Sequence, residues 1–129
     1  MAQHCEFCEI VARRAPAAIR YEDDEVMAFH NRLTWVPVML LIVPRRHLDQ
    51  RQFWLSPLFA MAAQVAVRLG DTDCPNGYRL VSNFGEDALQ TQAHGHLHVI
   101  GGAGLGLYID FPGKGDFWLH MYGGHRELE

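Results

Sequence analysis

Apolar and polar positions alternate in short runs along this chain, and one stretch alone repeats clearly at helical spacing. Leu58, Met61, Ala62, Val65 and Leu69 recur every three to four residues, the pattern of a helix that lays one face on a sheet. Ser56 and Pro57 mark its start, because a serine oxygen caps orphan N–H groups and proline loses nothing at the first helical position. Gly70 reads as its stop. Residues 17–21 and 25–30 are mixed apolar and β-branched segments around the acidic turn Glu22-Asp23-Asp24, which signals a hairpin. The apolar run over residues 38–43, closed by Pro44, is expected as a buried central strand, and residues 78–83 and 94–100 as the last two strands. A short helix over residues 8–13 would end before Pro16, since the residue preceding proline avoids helical geometry. The expected fold class is α+β: an antiparallel sheet of about five strands with one main helix and a short N-terminal helix.

Length and charge narrow the classes. A chain of 129 residues fits one domain spanning 1–129, able to bury a core without disulfides. The 11 basic and 15 acidic residues give a net charge of -4, so no positive field would gather a nucleic-acid backbone. The longest apolar stretch, residues 36–43, is too short to span a bilayer, and the first residues show no basic-then-apolar leader. A cytoplasmic location is expected, with no membrane partner. The 3 cysteines suit reduced thiols rather than a secreted disulfide framework. Past residue 101 the chain is rich in glycine and carries Tyr108, Phe111, Phe117, Trp118 and Tyr122 without periodicity; a surface-hugging extension is the expectation.

The chemistry concentrates in His94-Gly-His96-Leu-His98-Val-Ile100. In a strand, positions i, i+2 and i+4 share a face, so three imidazoles would point the same way while Leu97, Val99 and Ile100 form the buried face. Same-face neighbours lie roughly 6.5–7 Å apart, close enough to share one phosphate, or to divide between a metal and a substrate. Three alternating copies of a scarce residue favour a functional cluster over a polar face that happens to use histidine. A single metal held by all three is a second chemical reading. Cys5-x-x-Cys8 offers two thiolates at a spacing that wraps one ion, and zinc wants two further ligands. A nucleic-acid-binding finger is excluded, because the nearest suitable histidines lie too far along the chain.

The segment Asn83-Phe-Gly-Glu-Asp87, followed by Gln90-Thr91-Gln92-Ala93 and the histidine run, resembles the histidine triad family, whose pattern is His-φ-His-φ-His-φ-φ with φ apolar. Upstream landmarks are similar in the same order: Cys5-Glu-Phe-Cys8, Tyr21-Glu-Asp-Asp24 with Val26 to Phe29, and Leu41-Ile-Val-Pro-Arg-Arg-His47. The resemblance covers about residues 5–102 and leaves 103–129 as a C-terminal extension.

It implies that His96 attacks an α-phosphorus to form a nucleotidyl-histidine that water hydrolyses, a task suited to an imidazole unprotonated at neutral pH. His98 would stabilise charge on the scissile oxygen. Gln90 and Asn83 would bond leaving-group and phosphate oxygens, and Thr91 would add a hydroxyl or backbone N–H. It also implies a structural zinc held by Cys5, Cys8, His47 and His94, leaving Cys74 inert, and no organic cofactor. A homodimer paired through the main helix and the central strand follows from the same resemblance.

The expected function is hydrolysis of a purine nucleotide at its α-phosphate, with a purine nucleoside phosphoramidase preferred over a dinucleoside polyphosphate hydrolase because of the zinc set. A nucleotide-binding or regulatory protein that has lost turnover is the competing class. Three positions depart from the family pattern. Asn31 stands where many members hold the ribose hydroxyls with an aspartate, and a neutral amide bonds them less strongly. Gly95 replaces an apolar residue between the first two histidines, and Val38-Met39 replaces the usual Gly-His entering the central strand.

Overall fold

The computed structural model describes residues 4–112; Phe117, Trp118 and Tyr122 of the expected extension lie outside them. Helix α1 (Glu6–Val11) precedes strands β1 (Ile19–Glu22), β2 (Val26–His30) and β3 (Val38–Pro44), then helices α2 (Gln50–Trp54) and α3 (Pro57–Asp73), strand β4 (Tyr78–Val81), a 3-10 turn (Glu86–Ala88) and strand β5 (Leu97–Gly101). The strands form one sheet in the order β1-β2-β3-β5-β4, with every neighbouring pair antiparallel. The expected α+β class and five-stranded sheet are therefore what the chain adopts.

Both faces of the sheet are covered. On one, Phe53 of α2 and Ala62, Val65, Ala66 and Leu69 of α3 pack on Val26, Leu40, Ile42, Leu97 and Val99. On the other, Phe7 and Ile10 of α1 pack on Met27, Phe29, Leu41 and Val43. Double coverage explains why β3 is apolar at every position instead of alternating. A leucine as fully buried as Leu40 contributes about 1.5–3 kcal/mol relative to exposure.

The β1–β2 turn is built by Asp23, whose Oδ1 accepts the N–H groups of Glu25 and Val26, both at 2.8 Å. Arg20 ties β1 to the end of α3 through both carboxylate oxygens of Asp73, at 3.2 and 3.0 Å.

Several elements differ from the sequence expectation. Helix α1 starts two residues earlier than expected because Cys5 caps it, with its Sγ accepting the Cys8 N–H at 3.3 Å. Gly70 does not stop α3, which runs on to Asp73. It makes room instead: a Cβ there would sit 2.5 Å from the ring of Tyr78, whose hydroxyl donates to the Val67 carbonyl and to Asp71 Oδ1. Met61, placed by periodicity on the buried face, is 39% exposed. Helix α2 was not expected, although Asp49 and Gln52 form a complete capping box, at 2.8 Å in each direction. Strand β5 begins only at Leu97, and His94 joins the sheet region through an isolated bridge to Asp49.

Candidate active site and metal centre

The bridge between Asp49 and His94, reinforced by Gly95 N–H donating to the Leu48 carbonyl at 2.6 Å, draws the segment after β3 against the histidine run. That puts His47 beside His94, with ring centroids 4.9 Å apart. Helix α1 brings Cys5 and Cys8 to the same point. Cys5 Sγ lies 3.4 Å and Cys8 Sγ 3.5 Å from His94 Nδ1, and Cys8 Sγ lies 3.3 Å from His47 Nδ1. The four donor atoms fall within 4.8 Å of one another. Donors around a tetrahedral zinc stand about 3.3–3.8 Å apart, given Zn–S and Zn–N bonds near 2.3 and 2.0–2.1 Å.

Protonation fits as well. His94 Nε2 meets the Pro44 carbonyl at 2.8 Å, and a carbonyl only accepts, so Nε2 carries the proton and Nδ1 presents its lone pair to the sulfurs. Burial holds the His94 ring neutral, lowering its pKa to about 4. Burial, and then the neighbouring Cys5, push the Cys8 thiol up to about 11, so a cation among these four is what would favour the thiolates. The four expected ligands thus form one cluster compatible with zinc.

His96 occupies a different environment two residues on. Its Nδ1 lies 2.8 Å from the His94 carbonyl and must donate, which leaves Nε2 as a lone pair. Its backbone is held at both ends: the N–H donates to Gln50 Oε1 at 2.8 Å, and the carbonyl accepts from Ser82 Oγ at 2.7 Å. Gln50, itself buried, uses its amide N–H to reach the Asn83 carbonyl at 3.1 Å. The His98 ring centroid is 5.0 Å from that of His96. Burial lowers the pKa of His96, and burial together with the nearby His96 lowers His98 to about 4. Burial thus favours the neutral form of both rings.

His96 and His98 line a cleft of about 920 Å³ that crosses the sheet from α1 to β4. Phe7, Phe29, Leu41 and Trp35 give it an apolar end. Ile100 also lines it, on the same side as His98, and does not join Leu97 and Val99 in the core as the sequence suggested.

A family model for the HIT domain matches residues 12–105. The chain belongs to the HIT domain family. A HIT-like protein of Synechocystis is 38% identical over 79% of this chain and 93% of its own length. A HIT family hydrolase from Clostridium thermocellum has the same fold, with a TM-score of 0.76, 30% identity, and coverage of 85% of this chain and 100% of its own. A HIT family hydrolase from Legionella pneumophila gives a TM-score of 0.73 at 32% identity, covering 78% of this chain and 95% of its own.

Within this HIT domain the expected substrate residues divide into two groups. Asn31 and Thr91 line the cleft, while Asn83 and Gln90 do not. Gln90 spends its amide on the loop it sits in, accepting from the Gly85 N–H at 2.8 Å and donating to the Gln92 carbonyl at 2.9 Å. Asn31 Oδ1 accepts the Leu33 N–H at 3.0 Å, so the side chain also shapes its own turn. Sequence reasoning missed Gln50 and Ser82, the two side chains that clamp His96. Only the capping box of α2 could have signalled Gln50, by fixing the helix on which it sits; nothing in the local sequence marks Ser82.

The remaining departures have local causes. Gly95 is required by Phe53, because a Cβ at residue 95 would lie 2.5 Å from the Phe53 Cβ. Val38 pairs with Gly101 and Met39 with Ile100, and Met39 lines the cleft floor. Among the described residues no helix is long and apolar enough to cross a membrane.

Proposed function

We propose that this HIT protein hydrolyses nucleotides at the α-phosphate through a nucleotidyl group on His96, acting as a purine nucleoside phosphoramidase. The observation that carries this reading is the bond from His96 Nδ1–H to the His94 carbonyl, which leaves Nε2 unprotonated beside the cleft. In the first step the Nε2 lone pair bonds to phosphorus as the P–N bond to the leaving amine breaks, and the departing nitrogen takes a proton from water, which the second step returns. Positive charge then builds on the His96 ring, and its Nδ1–H bond to a carbonyl becomes charge-assisted, roughly twice as strong as a neutral one. His98, neutral and adjacent, is placed to hydrogen-bond the phosphate or the leaving atom. Water then attacks phosphorus, releasing the nucleoside monophosphate and restoring His96. A neutral His96 ring suits the first step, since a protonated ring could not attack.

Zinc at Cys5, Cys8, His47 and His94 belongs to the same reading, as a fastener between α1, the β3–α2 connection and the run leading to His96. When bound it supplies structural cross-linking; the reaction runs on the chain's own histidines. Thr91 and Asn31 would contact phosphate and sugar from the cleft wall, Gln90 would act by fixing the loop that carries Thr91, and the Asn83 carbonyl would act by holding Gln50. A homodimer is supported by exposed apolar residues, Met61 and Val67 on α3 and Leu80 on the edge strand β4. A cytoplasmic setting accords with three free cysteines.

The test is incubation with adenosine 5′-phosphoramidate. Wild type should release AMP and yield an adenylylated peptide containing residue 96, while His96→Ala should lose at least about three orders of magnitude in rate. Equal rates in the two proteins would remove the enzyme reading and leave a nucleotide-binding role.

A further inference from the structure

We infer that the cleft continues past His98 into a subsite on strand β4, where Arg79, propped by Tyr108, receives a negatively charged group on the part of the substrate that leaves. The inference rests on the reading of His96 as nucleophile and names the class of leaving group. The cleft crosses the sheet in strand order, with its apolar end over β2 and β3, the reactive histidines at β5, and Arg79 and Val81 on β4 beyond them. A substrate whose apolar part fills the first end and whose phosphorus meets His96 must direct its other substituent toward β4.

The register fixes what it meets there. Val81 pairs with His98 and Arg79 with Ile100, so Arg79 shares the cleft-side face with His98 and lies one diagonal step from it. Diagonal neighbours across an antiparallel pair are separated by about 7–8 Å, within reach of a long side chain.

Arg79 and Arg51 differ from the other arginines engaged in the fold, and Arg51, 6.0 Å from the Phe84 ring centroid, does not line the cleft. Arg13, Arg14, Arg20, Arg32 and Arg45 each meet a carboxylate. The Arg79 guanidinium donates to the Gly106 carbonyl and sits 5.9 Å from the Tyr108 ring centroid, and neither partner carries formal charge. A carbonyl and an aromatic face orient the planar guanidinium and leave other N–H donors for a ligand. Arginine presents a fork that matches carboxylate or phosphate oxygens. Leu105 and Tyr108, from the segment after β5, wall this end of the cleft.

Two matched substrates test the inference: AMP joined through nitrogen to β-alanine, which carries a carboxylate, and to β-alaninamide, which does not. Wild type should prefer the carboxylate in kcat/KM by about tenfold, the worth of a charge-assisted bond. Arg79→Gln should bring the ratio to about one, Arg79→Lys should keep most of the preference, and Tyr108→Leu should lower it in part. A wild-type ratio near one, or a ratio that survives in Arg79→Gln, would overturn the subsite while AMP release upheld the His96 chemistry. Turnover of neither substrate, with no adduct on His96, would overturn that chemistry and the subsite with it.

Discussion

Gln50 accepts the backbone N–H of His96 at 2.8 Å from a position 46 residues earlier in the chain, and Ser82 grips the carbonyl of the same residue from β4's end at 2.7 Å. The peptide units on either side of the proposed nucleophile are thus fixed by side chains of two different segments. Fixing the backbone fixes the ring, since Nδ1 is already committed to the His94 carbonyl. Positioning of this kind is worth large rate factors, because a displacement of about 1 Å at a reacting atom costs on the order of a hundredfold.

Replacing Gln50 with leucine should therefore lower kcat by about ten- to a hundredfold while KM changes little. The His96 N–H left without an acceptor should also cost about 1–3 kcal/mol of stability. Ser82→Ala should show a smaller loss of kcat, and Ser82→Thr, which keeps the hydroxyl, should restore it. Steady-state kinetics beside thermal melts would check this; a rise in KM with kcat intact would assign Gln50 to substrate binding instead.

Gly95 and Phe53 should behave as a size-coupled pair. Gly95→Ala forces a methyl to within 2.5 Å of the Phe53 Cβ, in a core where Phe53 is fully buried. Overpacking of this sort costs about 1–3 kcal/mol. Phe53→Gly alone loses packing, yet it removes the Cβ that the new methyl would meet and should reduce the penalty of Gly95→Ala, so the double mutant should be more stable than the sum of the singles. Additive effects in a denaturation cycle would refute the coupling.

Metal removal should act on the fold before it acts on the chemistry. Elemental analysis is expected to find about one zinc per chain, and Cys8→Ser should release it and lower the melting temperature by roughly 10 °C. Activity measured below the new melting point should persist in part, since the proposed mechanism places no metal at His96. Metal-free protein with unchanged melting behaviour would contradict the fastening role.

Acid should weaken the protein through His98. Its folded pKa, about 4, lies below the ordinary value of 6.5 because burial and the neighbouring His96 disfavour the charged ring. Between those two values the unfolded chain takes up a proton that the folded chain refuses, so stability falls as pH drops from about 6.5 toward 4 and levels off below. Imidazole NMR titration should find the His98 ring neutral at pH 5.5; a midpoint near 6.5 would show it to be solvated.

Much of this organisation is legible in the chain itself. Local patterns predict the hairpin at Asp23, the apolar central strand and the start of α3, because each depends on neighbours within a few residues. The alternating histidines mark the chemistry by composition and period alone. Misreadings arise where a distant contact overrides the local signal. Gly70 looks like a helix stop and serves as the notch for Tyr78. Ile100 continues an apolar pattern yet lines the cleft.

The sequence by itself determined which side chains could do chemistry: two cysteines at a metal-wrapping interval and imidazoles at every second position. Tertiary structure decided how they divide. His94 and His96 are two residues apart in nearly identical local sequence, yet one turns Nδ1 to the sulfurs because Pro44 claims its Nε2, and the other keeps Nε2 bare because the His94 carbonyl claims its Nδ1. A histidine's tautomer is set by whichever acceptor the fold brings to it, and those acceptors come from packing that no local pattern encodes.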